Sequence, residues 1–116
     1  MSHNYDKLQV YHRSVDIAVK IMKIIDDVRP FRLAEQIVSS SISIPSNIAE
    51  GSERGSDKEF ARFLEYSSGS AAELVTQLTI LQKANKPIAL DLPEMIKELT
   101  EINFMLRGLI SKHKSI

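Results

Sequence analysis

Ser39-Ser-Ser-Ile-Ser-Ile-Pro-Ser-Asn-Ile-Ala-Glu-Gly51 lies near the middle of the chain, between two long apolar patterns. Ala34, Ile37, Ser41, Ile44 and Ile48 recur at spacings of three and four, so one helical seam runs straight past Pro45. An interior proline removes one backbone hydrogen bond and crowds the carbonyl four residues back, that of Ser41. The pattern therefore predicts a kinked but continuous helix over residues 31–50. Ser41, Ser43 or Asn47 would give the freed backbone groups partners. Gly51 falls where a C′ glycine closes a helix.

Upstream, residues 6–28 read as a helix with two apolar seams side by side. Leu8, Tyr11, Val15, Ala18, Met22 and Ile25 form one; Val10, Ser14, Ile17, Ile21, Ile24 and Val28 form the other. One seam buries a helix against a bundle. The second is either a wide core contact or, the sharper reading, a subunit interface made by Val10, Ile17, Ile21, Ile24 and Val28. Arg29-Pro30 ends the helix, because the residue before proline is pushed out of the α region. Downstream, Gly51 to Gly55 is a short polar connection. Ser56 with Glu59 then forms a capping box opening a helix over 56–85, with Phe60, Leu64, Ser67, Ala71, Leu74, Leu78 and Leu81 on its seam. Asp91 with Glu94 repeats the signal before a helix over 92–112 carrying Leu92, Met95, Leu99, Ile102, Leu106 and Leu109. Four helices, short connections and no alternating stretch predict an all-α fold. It is a single domain over 1–116, an antiparallel up-down four-helix bundle.

A loop centred near Arg54 sets Ser39-Ser40-Ser41 opposite Ser67-Ser68-Gly69. Two patches of small residues would then let the helices approach closely. On this reading Gly69 offsets its helix cost of ~1 kcal/mol by close packing, and Gly69→Leu would be strongly destabilising.

The chain has 116 residues, 43% apolar and 26% charged, with 15 basic and 15 acidic residues. Zero net charge argues against gripping nucleic acid by bulk positive charge. There is no cysteine, hence no disulfide framework, and a cytoplasmic location fits best. No apolar run reaches the roughly 18 residues of a membrane span. His3, His12 and His113 show no ligand spacing, Glu-x-x-His is absent, and no metal or cofactor is expected. Gly-x-Ser-x-Gly, P-loop and Gly-x-Gly-x-x-Gly motifs are absent too, so no catalytic residue is assigned. Asn47, Glu50 and Glu73 are either a small polar site or, the favoured reading, a network that fixes the turn. Glu50 at a helix C-terminus calls for a cation such as Arg54, Lys58 or Arg62. Lys20, Lys23, Arg29 and Arg32 cluster near the first corner. They are a solvated face or, repeated on an oligomer, a contact for phosphate backbone.

Ser43-Ile-Pro-Ser-Asn-Ile-Ala-Glu-Gly51, with Leu33-Ala-Glu-Gln-Ile37, Lys58-Glu-Phe-x-Arg-Phe-Leu64 and Gly69-Ser-Ala-Ala-Glu-Leu74, resembles the 23S rRNA-intervening sequence protein family. Members are also labelled four-helix bundle or ribosomal proteins. The resemblance covers nearly the whole chain. It implies a homopentamer of four-helix bundles without established enzymatic activity. The family is named for reading frames inserted in bacterial 23S rRNA genes. The resemblance gives Ser43, Pro45, Asn47, Glu50, Gly51, Ser70 and Glu73, with Gly69 beside them, a structural role. The expectation is a non-enzymatic homo-oligomeric scaffold or adaptor. The alternative is RNA or ribonucleoprotein binding through repeated basic patches.

Overall fold

The computed structural model describes residues 3–114; the outermost residues of the expected 1–116 domain lie outside them. Four helices, α1 (Gln9–Met22), α2 (Phe31–Ser52), α3 (Asp57–Lys83) and α4 (Leu92–Lys114), form a bundle of 45 × 21 × 20 Å. Among the described residues there is no strand. Each helix packs on its two neighbours, α1 on α4 most sparingly. Gly51 near the end of α2 lies against Phe60 and Phe63 near the start of α3, and Asp57 at the start of α3 meets His113 at the end of α4, so these consecutive helices run antiparallel.

The heptads of α2, α3 and α4 point inward as their spacing predicts. Ile37, Ile44 and Ile48 meet Leu64, Leu74, Leu78, Leu99, Ile102 and Leu106, all fully buried. Each such side chain contributes roughly 1.5–3 kcal/mol by leaving water. Ser56 caps α3, its hydroxyl accepting from the Glu59 N–H at 3.1 Å, and Asp91 does the same for the Glu94 N–H. Asn85, with φ 55°, ends α3 in a left-handed turn, and the Lys86 N–H reaches back to the Leu81 carbonyl at 3.1 Å.

The first helix differs from its expected span. The stretch expected to be helical from 6 to 28 is a 3-10 turn (Tyr5–Lys7), then α1, then a second 3-10 turn (Ile25–Asp27). Ile24 leaves the helix at φ −125°. The change of backbone puts Ile25 in the core where a continuous helix would put Ile24, which is only half-buried. The seam assigned to a subunit interface is corrected by the same packing. Val10, Ile17, Ile21 and Val28 are buried inside this chain's own bundle, against α2 and α4, and cannot meet another subunit. The other α1 stripe faces outward.

Gly51 does not close α2. It sits inside the helix, buried, and Gly55 makes the turn with φ 85°. Because α2 runs on through Ser52, its register against α3 slips by about one turn from the expected one. Ser67 donates to the Ile44 carbonyl at 2.8 Å, where Ser40 was expected opposite it. Gly69 is exposed, with open space where a Cβ would stand, so it provides no close approach and the predicted damage from Gly69→Leu has no basis.

Candidate functional site

The central motif has two faces. The inner face is polar as well as apolar. The Asn47 amide donates to the carbonyl and the hydroxyl of Ser43, both at 2.9 Å, and the Ser43 hydroxyl shares a hydrogen bond with Ser70 at 2.8 Å. Ser67 donates to the Ile44 carbonyl, one residue before Pro45, and Ser41 donates to the Val38 carbonyl at 2.9 Å. None of these bonds reaches the Ser41 carbonyl, which Pro45 leaves without its helical donor; those to the backbone go to the carbonyls of Val38, Ser43 and Ile44. At Gly51 a Cβ would stand 2.5 Å from Cβ of Phe63, so α2 and α3 touch backbone to side chain there. Glu50 is exposed and pairs with Arg54 at 3.2 Å, one of the three cations expected.

The outer face lines an open and mainly apolar hollow. Ile42, Pro45, Ser46 and Ala49 of α2 face Tyr11, Val15, Ala18, Val19 and Met22 of α1 across an open groove of about 480 Å³, with Lys23 at its edge. Val19 is 45% exposed, Met22 52% and Ile42 44%. One exposed aliphatic residue is ordinary; three that adjoin across two helices mark a contact surface. The first seam of the α1 pattern, taken as core, supplies this surface. Other bulky apolar residues stand exposed outside the groove, Phe31, Tyr66 and Ile80 among them, and Phe104 of α4 is the most exposed at 80%.

Nothing in the groove is poised for acid, base or nucleophilic chemistry. Asn47, Glu50 and Glu73 do not line it, and Glu73 is exposed on α3. A small polar site would need the three together in one hollow, and Glu73 stands exposed on α3 while Glu50 pairs with Arg54 and Asn47 with Ser43. Lys20, Lys23, Arg29 and Arg32 are exposed as expected, but their corner carries both signs. The Arg29 guanidinium is taken up by the Asp26 and Val28 carbonyls at 2.8 and 2.9 Å. It shares a shallow hollow with Asp26 and Glu35.

Two polar clusters escaped the sequence reading. Arg13 of α1 grips Glu98 through Nε and Nη2 at 2.8 and 2.7 Å and Glu101 at 2.8 Å, tying α1 to α4. The guanidinium holds the Glu98 carboxyl below its ordinary range, and the two carboxylates raise the Arg13 value further. At one end of the bundle His3 Nε2 and His113 Nδ1 both reach Asp57 Oδ1, at 2.7 and 2.9 Å. The hydrogen bond from His113, then that from His3, lower the Asp57 value. The signal was topological: an up-down bundle with four helices returns its C-terminus to the end where it began, beside the α2–α3 turn.

The model of the 23S rRNA-intervening sequence protein family matches residues 6–108. The chain belongs to that family. A solved structure described as a protein of unknown function from the S23 ribosomal protein family, from Bacteroides thetaiotaomicron VPI-5482, superposes with a TM-score of 0.79. It is 26% identical, over 87% of this chain and 97% of that one. A search of curated proteins finds no match. For this family member the motif Ser43 to Gly51 thus builds the α2–α3 contact with one face and the groove with the other. No helix among the described residues is long and apolar enough to cross a membrane.

Proposed function

We propose that this family member is a non-enzymatic, cytoplasmic scaffold whose subunits join through the α1–α2 groove, in a ring of five as the family resemblance implies. The observation that carries the reading is an apolar groove together with Phe104, the most exposed of the large apolar side chains, ahead of Phe31 at 64% and Ile80 at 50%. The groove of Val19, Met22 and Ile42 is concave, and Phe104 projects from a helix outside it. A surface that offers a hollow in one place and a knob in another suits head-to-tail contact, which closes into a ring when the rotation allows. Burying the four side chains would contribute roughly 1.5–3 kcal/mol each at most. Light scattering tests it: the account expects a mass near five times 13.1 kDa, about 66 kDa. A mass of one chain at micromolar concentration contradicts it. RNA binding is the less supported reading, because Asp26 and Glu35 share the corner with Arg29 and Arg32. Titration with structured RNA at two salt concentrations checks that ranking; strong binding that weakens steeply with salt would reverse it.

A further inference from the structure

We propose that His3, Asp57 and His113 form a binding site for one divalent transition-metal ion of the zinc class, which staples both ends of the chain to the start of α3. The three side chains come from three separate places in the sequence and place their donor atoms within 4.8 Å of one another. Zinc binds histidine nitrogen and carboxylate oxygen at about 2.0–2.2 Å, so neighbouring ligands of a tetrahedral ion stand about 3.4 Å apart. The two nitrogen–oxygen separations here, 2.7 and 2.9 Å, need to open by about half an ångström or a little more, and the two histidine nitrogens, within 4.8 Å of each other, need to close by up to about 1.4 Å to reach that spacing.

The rings are already held for it. His3 stacks on Phe60 at 4.4 Å, and His113 meets the same ring edge-on at 4.8 Å. Phe60 is itself buried in the core. The His3 N–H donates to the Ser52 carbonyl at 2.8 Å, which fixes the backbone beside the ring. Without metal, the carboxylate accepts an N–H from each ring, which makes His3 the Nε2–H form and His113 the Nδ1–H form. Metal replaces those two protons, and each ring carries its proton on the other nitrogen. For His3 that nitrogen is Nδ1, which is buried with no acceptor. A ligating histidine normally donates that proton to a second partner, and losing one weakens a site about 10–100-fold. The site therefore has three protein ligands and binds more weakly than one whose second His3 nitrogen had an acceptor.

The test is a cobalt(II) titration of the full chain carrying no polyhistidine tag, followed by its visible absorption, with zinc(II) as competitor. The expected result is saturation at one ion per chain and displacement by zinc. Asp57→Asn and His113→Gln should each raise the dissociation constant more than about tenfold. His12→Gln, whose ring instead meets the Asp6 carbonyl, should leave it unchanged. Circular dichroism checks that each variant keeps its helices. If one does not, proton NMR of the wild-type chain decides, with cobalt broadening the His3 and His113 ring signals and sparing His12. No saturable absorption, equal affinity in all variants, or uniform broadening overturns the proposal. None of these residues lies in the groove, so the outcome is separate from that of the light-scattering experiment.

Discussion

A methyl group at Gly51 would collide with Cβ of Phe63, an atom that cannot swing away, whereas one at Gly69 would meet nothing within 4 Å. Both glycines lie in helices, and helix propensity alone treats them identically. The account predicts opposite signs. Gly51→Ala should lose roughly 1–3 kcal/mol through overpacking, and Gly69→Ala should gain up to about 1 kcal/mol, read as shifts in melting temperature. Sequence reasoning picked the wrong glycine because it paired α2 with α3 about one helical turn out of register, and close approach depends on register. Asp57 carries a second prediction at this scale. Its carboxyl is lowered by His113 and then by His3. A depressed carboxyl stabilises the fold above its unfolded value, near 3.9, and that contribution fades as pH falls through the lower folded value. The stability gap between wild type and Asp57→Asn should therefore narrow in melts taken below about pH 3.9; a gap that widens there contradicts the contact.

The helices were legible because the apolar period holds along α2, α3 and α4, and capping residues mark the starts of α3 and α4. α1 was misread because both of its stripes are apolar, and periodicity cannot say which of two stripes faces in. Residue type held a hint: the buried stripe is β-branched aliphatic apart from Ser14, while the outer one carries Tyr11 and Met22, types enriched at interfaces. The polar seam between α2 and α3 was foreseen as small residues meeting, though not with these partners. Ser67→Ala should cost about 1 kcal/mol by stripping the Ile44 carbonyl of its side-chain donor, measured by chemical denaturation. α1 packs on α4 more sparingly than the other neighbours pack, and the Arg13 fork bridges that junction. Arg13→Gln should cost about 1 kcal/mol, less in high salt, since the partners are partly exposed. A loss that does not depend on salt would mean that packing of the Arg13 stem, and not its charge, holds the two helices.

For the whole molecule, the motif Ser43 to Gly51 packs α2 on α3 and shapes a surface. Pro45, Ser46 and Ala49 keep that side of α2 low, so that Ile42 and the α1 stripe stand around a hollow. The double seam raised the expectation of oligomerisation, but the half assigned to it is buried in the chain's own bundle, because burial is decided by α4 and α2 and not by α1 alone. The central claim is that one chain's groove receives another chain's Phe104. The most direct test uses two variants, Met22→Lys, which spoils the groove, and Phe104→Glu, which spoils the knob. By light scattering each alone should be a monomer. Mixed in equal amounts they should form a one-to-one dimer, because the Phe104→Glu chain keeps a sound groove and the Met22→Lys chain keeps a sound knob. Variants that stay at the wild-type mass, or a mixture that stays monomeric, would contradict head-to-tail assembly through this groove.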